Sequence, residues 1–431
     1  MRVEAILEMK RAFPYRAALL IAATFQVALA AHLQAENWPR FRGPTGQGVS
    51  SETSLPAEWS STSGIAWKTE IPGESWSSPI VWNDQVFVTT ATDGGRSCRV
   101  LALDRKAGRV LWNTEVFQQT PGHKQGKNSY ATPTPVTDGE RVYAVFGDGS
   151  VAAVNFDGSL AWTNRDVKFY SEHGLGASPL VYGELLIMAF DGSSPGPETK
   201  VGWQIPWDQA FILAVDKTTG KPRWRASRGL SRIAHISPAV IRMGDREELL
   251  SCAGDAIQGF NPKTGQRLWH VFSEGEGVVP SPAWGDGLIF TASGFGKSTI
   301  RAVRMGARDD ATKTHIAWEQ RKGVPSQSSL LYVKPFLYAV TEGGIASCVK
   351  SESGDIVWQQ RIGGEFCASP VFGDGKVFFL SEQGDTTVVA PGAEFKQLAR
   401  NTLGERCQAS PAVSQEHLFI RSDKHLWCIG K

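Results

Sequence analysis

Asp104-Arg105-Lys106-Ala107-Gly108-Arg109-Val110-Leu111-Trp112 reads as a tight turn between two strands. An apolar run ends at the Asp, whose short carboxylate can cap the turn. Gly108 supplies backbone freedom that other residues lack. The next strand begins two or three residues later and carries a Trp, a fixed aromatic plug for a β-hairpin. The phrase returns from Asn155 through Gly158 to Trp162, one residue shorter. It returns again from Asp216 through Gly220 to Trp224, from Asn261 through Gly265 to Trp269, and from Lys350 through Gly354 to Trp358. Trp67, Trp112, Trp162, Trp224, Trp269, Trp318 and Trp358 recur at intervals of 40 to 62 residues. At matching phase of successive repeats, these Trp residues are expected to be core packing between units, not a ligand cage.

A second phrase follows each Trp. It is Ser78-Pro79, Thr134-Pro135, Ser178-Pro179, Ser237-Pro238, Ser281-Pro282, Ser369-Pro370 and Ser410-Pro411, with Ser328-Ser329-Leu330-Leu331 in the remaining place. Pro is tolerated at the first residue of a strand. A polar turn such as Gly373-Asp374-Gly375 comes next, then a β-rich strand such as Lys376-Val377-Phe378-Phe379-Leu380. Each unit of roughly 40–50 residues therefore predicts four short antiparallel strands, the size of one propeller blade.

Eight such units predict an all-β, eight-bladed β-propeller. The last, from Gln408 to Lys431, has room for three strands; Gly64–Ile71 supplies the fourth, so the chain ends share a blade and close the ring. Closure removes the sheet edges that a linear array would expose.

Outside the repeats, residues 1–35 read as a secretory signal peptide. Lys10, Arg11 and Arg16 form a basic start, Ala17–Ala31 an apolar run too short to span a membrane, and Ala28, Ala30 and Ala35 the small residues of a cleavage site. Cleavage is expected after Ala35 or Ala30. No Cys lies there to carry a lipid anchor. The expected organisation is a signal peptide at 1–35, an N-terminal extension at 36–63 and one propeller domain at 64–431, an exported monomer, periplasmic or extracellular. Losing the leader removes four basic and two acidic residues, taking the formal charge of +2 to zero. A neutral chain without a Lys/Arg run argues against a nucleic-acid or anionic-membrane partner.

The remaining Cys residues (98, 252, 348, 367, 407 and 428) fit no small disulfide framework, and buried thiols are expected. Cys367 and Cys407, just ahead of successive Ser-Pro steps, are the one pair to test for a bond.

The repeat resembles the PQQ-like, Trp-docked propellers and, more distantly within that family, both the barrel-assembly lipoprotein BamB and the quinoprotein alcohol dehydrogenases. The resemblance covers nearly all of residues 64–431. The segment Asn37-Trp38-Pro39-Arg40-Phe41-Arg42-Gly43-Pro44-Thr45-Gly46-Gln47-Gly48 is similar to the opening of secreted planctomycete-type members. The dehydrogenases carry the quinone PQQ on the axis with calcium, a catalytic Asp and a disulfide between adjacent Cys. This chain has no adjacent Cys pair, no C-x-x-C-H haem motif and no spacing that selects anion or calcium ligands. The expectation is therefore no cofactor and no metal, with PQQ and calcium as the alternative; a repeat architecture does not imply its cofactor.

Gly294-Phe295-Gly296-Lys297-Ser298-Thr299 ends like a phosphate loop but lacks the first Gly, since Thr291 stands there; it is expected to be a hairpin turn. No H-E-x-x-H and no EF-hand loop occur.

Three departures from the repeat remain: Phe117–Tyr130, Phe169–Gly174 and Asp191–Asp208. Long loops on a rigid scaffold are where binding usually resides. All three are expected on the face that opens onto the axis, bringing together His123, Lys124, Asn128, Tyr130, His173, Trp203, Trp207 and Asp208 as candidate ligand-binding residues. No catalytic residue is assigned. The expected function is an exported, non-catalytic binding scaffold for a protein or saccharide. A PQQ-dependent oxidoreductase is the alternative, and a hydrolase using His123 and His173 lacks a nucleophile signal.

Overall fold

The computed structural model describes residues 36–431 apart from Thr199 and Gly294, so the expected leader at 1–35 lies outside the described residues. Eight antiparallel sheets follow one another along the chain. The first blade runs Ile80–Trp82, Gln85–Thr92, Ser97–Asp104 and Val110–Gln118 from the axis outward. The innermost strands of blades 2 to 8 are Val136–Thr137, Leu180–Tyr182, Ala239–Met243, Ala283–Gly285, Leu331–Val333, Val371–Gly373 and Ala412–Ser414. Ile65–Glu70 pairs antiparallel with His425–Ile429, so the outer strand of blade 8 comes from the start of the domain, as its sequence requires.

Middle strands are buried on both faces because a blade lies against each side; Arg141–Val145 and Val151–Asn155 read as continuous apolar runs for that reason. Outer strands alternate, as Val110–Gln118 does. The turn phrase works as its residues dictate. Asp104 Oδ1 accepts the N–H groups of Lys106 (3.0 Å) and Ala107 (2.8 Å). Gly108 sits at φ +67°, and a Cβ there would fall 2.5 Å from the indole of Trp67. The Gly is thus needed twice, for the turn and for the face on which the preceding blade's Trp lies.

The same stack recurs for Trp112 on Gly158, Trp162 on Gly220, Trp224 on Gly265 and Trp318 on Gly354. Trp67, Trp112, Trp162, Trp318 and Trp358 also donate their indole N–H to a carbonyl of the following blade, at 2.7–3.1 Å. Trp269 departs from this. Blade 5 has no Asp-to-Gly turn; its hairpin is the longer segment Met305–His315, whose Asp309–Asp310 adds a parallel fifth strand to blade 4. Trp269 instead lies over Gly259 of its own blade and donates to the buried Glu248 at 2.8 Å.

A second connection runs round the axis. The backbone N–H of Ser78 donates to Thr134 Oγ1, that of Thr134 to Ser178 Oγ, and so on through Ser237, Ser281, Ser329 and Ser369 to Ser410. Seven such bonds of 2.9–3.3 Å link the described innermost strands, which gives the Ser/Thr before each Pro its purpose. In blade 6 the ring member is Ser329, not Ser328, so the aligned pair there is Ser329-Leu330.

The segment Asn37–Leu55 closes one end of the axis. Trp38 is fully buried and bridges Val81 of blade 1. Pro39 O accepts from Thr137 N in blade 2, Gln47 Oε1 from Trp284 N in blade 5, and Gly48 O from Phe372 N in blade 7. These contacts lie where innermost strands end, so the segment is a floor with Phe41 facing the channel.

Candidate functional site: an axial cavity

Above that floor the axis holds a cavity of about 520 Å³. Its lower wall is the whole set of eight ring hydroxyls, from Ser78 to Ser410. The next tier is the residue two positions earlier in each repeat: Trp76, Thr132, Gly176, His235, Val279, Gln327, Cys367 and Gln408. In extended chain, positions two apart face the same side. The tier is therefore written in the sequence as the residue two before each Ser-Pro step, a signal the sequence reading passed over. Gln125, Lys127, Asn128, His173, Trp203, Glu276 and Phe295 form the mouth.

Of the eight candidates, Asn128, His173 and Trp203 face the cavity. Asn128 Nδ2 donates to His173 O at 2.7 Å, and the His173 and Trp203 rings meet edge to face at 5.0 Å. Three others stand behind them. Lys124 bonds Asn128 O (2.8 Å) and Glu74 (3.1 Å) and lies over the Tyr130 ring, which packs on Gly95. His123 pairs with Glu172 at 3.2 Å. Trp207 and Asp208 are not brought to the cavity: Trp207 exchanges backbone bonds with Ser231, and Asp208 holds the neighbouring Gln209.

Residues from distant blades complete the site. Lys127 reaches from the loop ahead of blade 2 to Glu382 in blade 7, at 2.8 Å. Cys367 Sγ lies 2.6 Å from both Gln327 Oε1 and Glu382 Oε1. Burial raises the Cys367 pKa, and the Glu382 carboxylate raises it further. Burial pushes the Glu382 pKa up as well, yet hydrogen bonds from Cys367, Lys127 and Gln408 hold it below the usual carboxylate range. His235 stands 5.8 Å from His173, ring to ring; burial, with a smaller push from His173, lowers its pKa to about 3, so its imidazole is neutral. All six Cys are free thiols. Cys407 is three residues before Ser410, not two, and therefore turns away from the axis into the core; Gln408 is the true counterpart of Cys367.

The charged side chains facing the cavity are Lys127, already paired, and Glu276. Among the described residues no group of three or more His, Cys, Asp and Glu converges to hold a metal ion. A tricarboxylate quinone with calcium asks for several cations and a set of hard oxygen ligands. The donor set here does not match it.

The sequence also spells G-x-S-x-G at Gly192-Ser193-Ser194-Pro195-Gly196. A nucleophile elbow needs a strand-to-helix turn. This stretch has no regular structure and no helix after it, and it is not an elbow. The phosphate-loop lookalike joins Leu288–Ser293 to Thr299–Arg304 as a hairpin, with Lys297 paired to Glu274. Among the described residues no helix is long and apolar enough to cross a membrane.

The family model described as outer membrane protein assembly factor BamB matches residues 49–122, 67–227, 207–314 and 253–394. BamB of Bordetella pertussis is 24% identical over 352 residues, 67% of this chain and 79% of that protein. Tetrathionate hydrolase of Acidithiobacillus ferrooxidans is 24% identical over 209 residues, 41% of this chain; the match spans 38% of the length of that enzyme. Among solved structures, a europium-containing methanol dehydrogenase superposes with TM-score 0.66 at 12% identity, covering 93% of this chain and 92% of that one. BamB from Moraxella catarrhalis superposes at 0.59 and 12%, covering 85% and 99%. At 12% identity these superpositions speak for the fold alone.

Proposed function

The chain belongs to the family of the outer membrane protein assembly factor BamB, and from that premise we propose that it is a non-catalytic binding scaffold acting outside the cytoplasm. The carrying observation is the cavity's chemistry. Its thiol and both His side chains are shifted toward their neutral forms, and each carboxylate or ammonium near them is paired or lies apart. A catalytic thiol is tuned the other way, toward its thiolate, and a catalytic His keeps its pKa near the working pH so that it can both take and give a proton, unlike buried His235 at about 3. Aromatic and amide side chains, Trp76, Trp203, Asn128 and Gln327, offer instead the mixed surface that grips a saccharide or a protein side chain. The exposed Ile205, Leu230, Phe272 and Phe295 extend it over the tops of blades 3 to 5. Kinship with an assembly factor favours a protein partner, and the expected leader favours export.

The opposing reading is a quinoprotein oxidoreductase, and one titration separates them. PQQ with calcium ions is added to the chain purified without its leader while Trp fluorescence is followed. No saturable quenching is expected. Saturable binding, followed by dye-linked oxidation of an alcohol, would sink the scaffold reading.

A further inference from the structure

We infer that the floor of the axial cavity is an anion site, taking a small oxyanion, free or as the terminal group of a larger ligand. The inference rests on the cavity being the chain's ligand site and names the chemistry of its deep end. Three observations carry it.

The first is the direction of the hydroxyl ring. A hydroxyl has one proton to give and lone pairs to receive. In this ring seven of the eight oxygens, from Thr134 round to Ser410, receive the neighbouring backbone N–H. Those bonds leave the proton unspent, and all eight hydroxyls border the cavity. The ring presents donors to whatever lies on the axis.

The second lies behind Phe41, the residue that closes the cavity below. Arg42 is 1% exposed. Its Nη2 holds Gln47 O and Leu330 O, the latter next to Ser329 of the ring. Among the described residues its Nε and Nη1 are buried with no hydrogen-bond partner, and no charged group shifts it. Arg40, on the other side of Phe41, spends its donors on the carbonyls of Gly43 and Pro44 and borders a small space with Ser237 and Ser281. A buried charge without a counter-ion is costly, and orphaned donors on it ask for an acceptor.

The third is where the carboxylates are. Glu276 is at the mouth, and Glu382 is engaged by Lys127, Cys367 and Gln408. Among the described residues nothing acidic lines the floor. A ring of oxygens also resembles a crown for a cation; the buried guanidinium bonded to Leu330 O beside Ser329 decides against that, since like charges repel strongly where water is excluded.

The test is calorimetric titration of the full chain with sodium sulfate and with glucose 6-sulfate, at constant ionic strength set by a large, weakly binding salt. One saturable site is expected for at least one of them. Tighter binding of the sugar sulfate assigns the anion to a larger ligand; equal binding assigns a free ion. Arg42→Gln is expected to weaken binding by roughly tenfold, the effect of removing a buried charge that acts through a floor from which water is excluded. Lys106→Gln, on an exposed turn of blade 1 that does not line the cavity, is expected to change it less than about twofold. Should Arg42→Gln fail to fold, Arg40→Gln serves as the floor variant. No binding to the wild-type chain, binding abolished by Lys106→Gln instead, or heat with sodium or potassium but not with the anion would overturn the assignment. None of these outcomes alters the quinone titration, so the two readings fail separately.

Discussion

Trp67 donates its indole N–H to the carbonyl of Arg105 at 2.7 Å, while its own strand is hydrogen-bonded to the last strand of the chain. One residue thus ties blade 8 to blade 1 and the start of the domain to its end. Closure by non-covalent contacts stabilises a ring only if this seam is as tight as the others.

Loss of that seam is the first prediction. Trp67→Ala removes a buried aromatic and is expected to cost about 3–5 kcal/mol. Gly108→Ala places a methyl against the same ring at φ +67° and is expected to cost about 1–3 kcal/mol. With Trp67 already gone, the added methyl no longer strikes the indole and keeps only its contact with Thr69 Oγ1 (2.8 Å) and the φ strain, so the two losses should be less than additive in urea unfolding of the double mutant. Full additivity would mean that the stack is not what Gly108 serves.

Glu248 gives the second. It is fully buried and satisfies Trp269 Nε1, Arg308 (2.9 Å) and Arg246 (3.1 Å). Glu248→Ala is expected to destabilise by roughly 2–3 kcal/mol through the orphaned indole N–H and the two unpaired guanidinium groups. It should also free the Met305–His315 segment from blade 4. Trypsin should then cut after Arg308 or Lys313 faster than in the wild type; unchanged cleavage would show that the parallel strand at Asp309–Asp310 holds the segment unaided.

Most of the frame was legible in the sequence because its parts are local. Asp104, Gly108 and Trp112 make a turn by their own chemistry, and eight copies of a unit that cannot stand alone have to close. The split blade followed from counting strands after Gln408. The cavity was legible only in part. Asn128, His173 and Trp203 sit in insertions, which stand out against a repeat. Cys367, Gln327 and His235 sit inside the repeat, where they look like scaffold until the ring of Ser residues fixes which phase faces the axis. Lys127 meets Glu382 across 255 positions, and no local pattern signals such a meeting. The role of Arg42 was hidden likewise: an Arg in a Gly- and Pro-rich segment reads as a solvated loop residue until the fold buries it. Trp269 shows the converse. The absence of an Asp-to-Gly turn ahead of Trp318 was visible, but its consequence one blade back was not.

The third prediction concerns Cys367, the thiol on the cavity wall. Burial and then the Glu382 carboxylate raise its pKa, so its alkylation at pH 8 should be slow for a thiol that lines an open cavity. Glu382→Gln removes the charge and is expected to speed alkylation, with about tenfold more thiolate for each unit by which the pKa falls. Lys127→Gln removes a cation that favours the thiolate and should slow it. Peptide mass spectrometry of iodoacetamide-treated protein distinguishes Cys367 from the other thiols. Equal rates in all three proteins would place access, not charge, in control.

The last prediction is a pH dependence. Burial holds the folded-state pKa of His235 at about 3, far below that of an exposed imidazole. Between about pH 6.5 and pH 3 the unfolded chain therefore binds a proton at this residue that the folded chain refuses. Stability from this group is fully present above pH 6.5 and is lost progressively as the pH falls toward 3. His235→Asn keeps a polar side chain on the cavity wall and removes the titration. Its melting temperature should fall less than that of the wild type between pH 7 and pH 4.5, the gap opening below pH 6.5. Parallel curves would mean that His235 takes up its proton in the folded state, with the cavity wet enough to bear the charge beside His173.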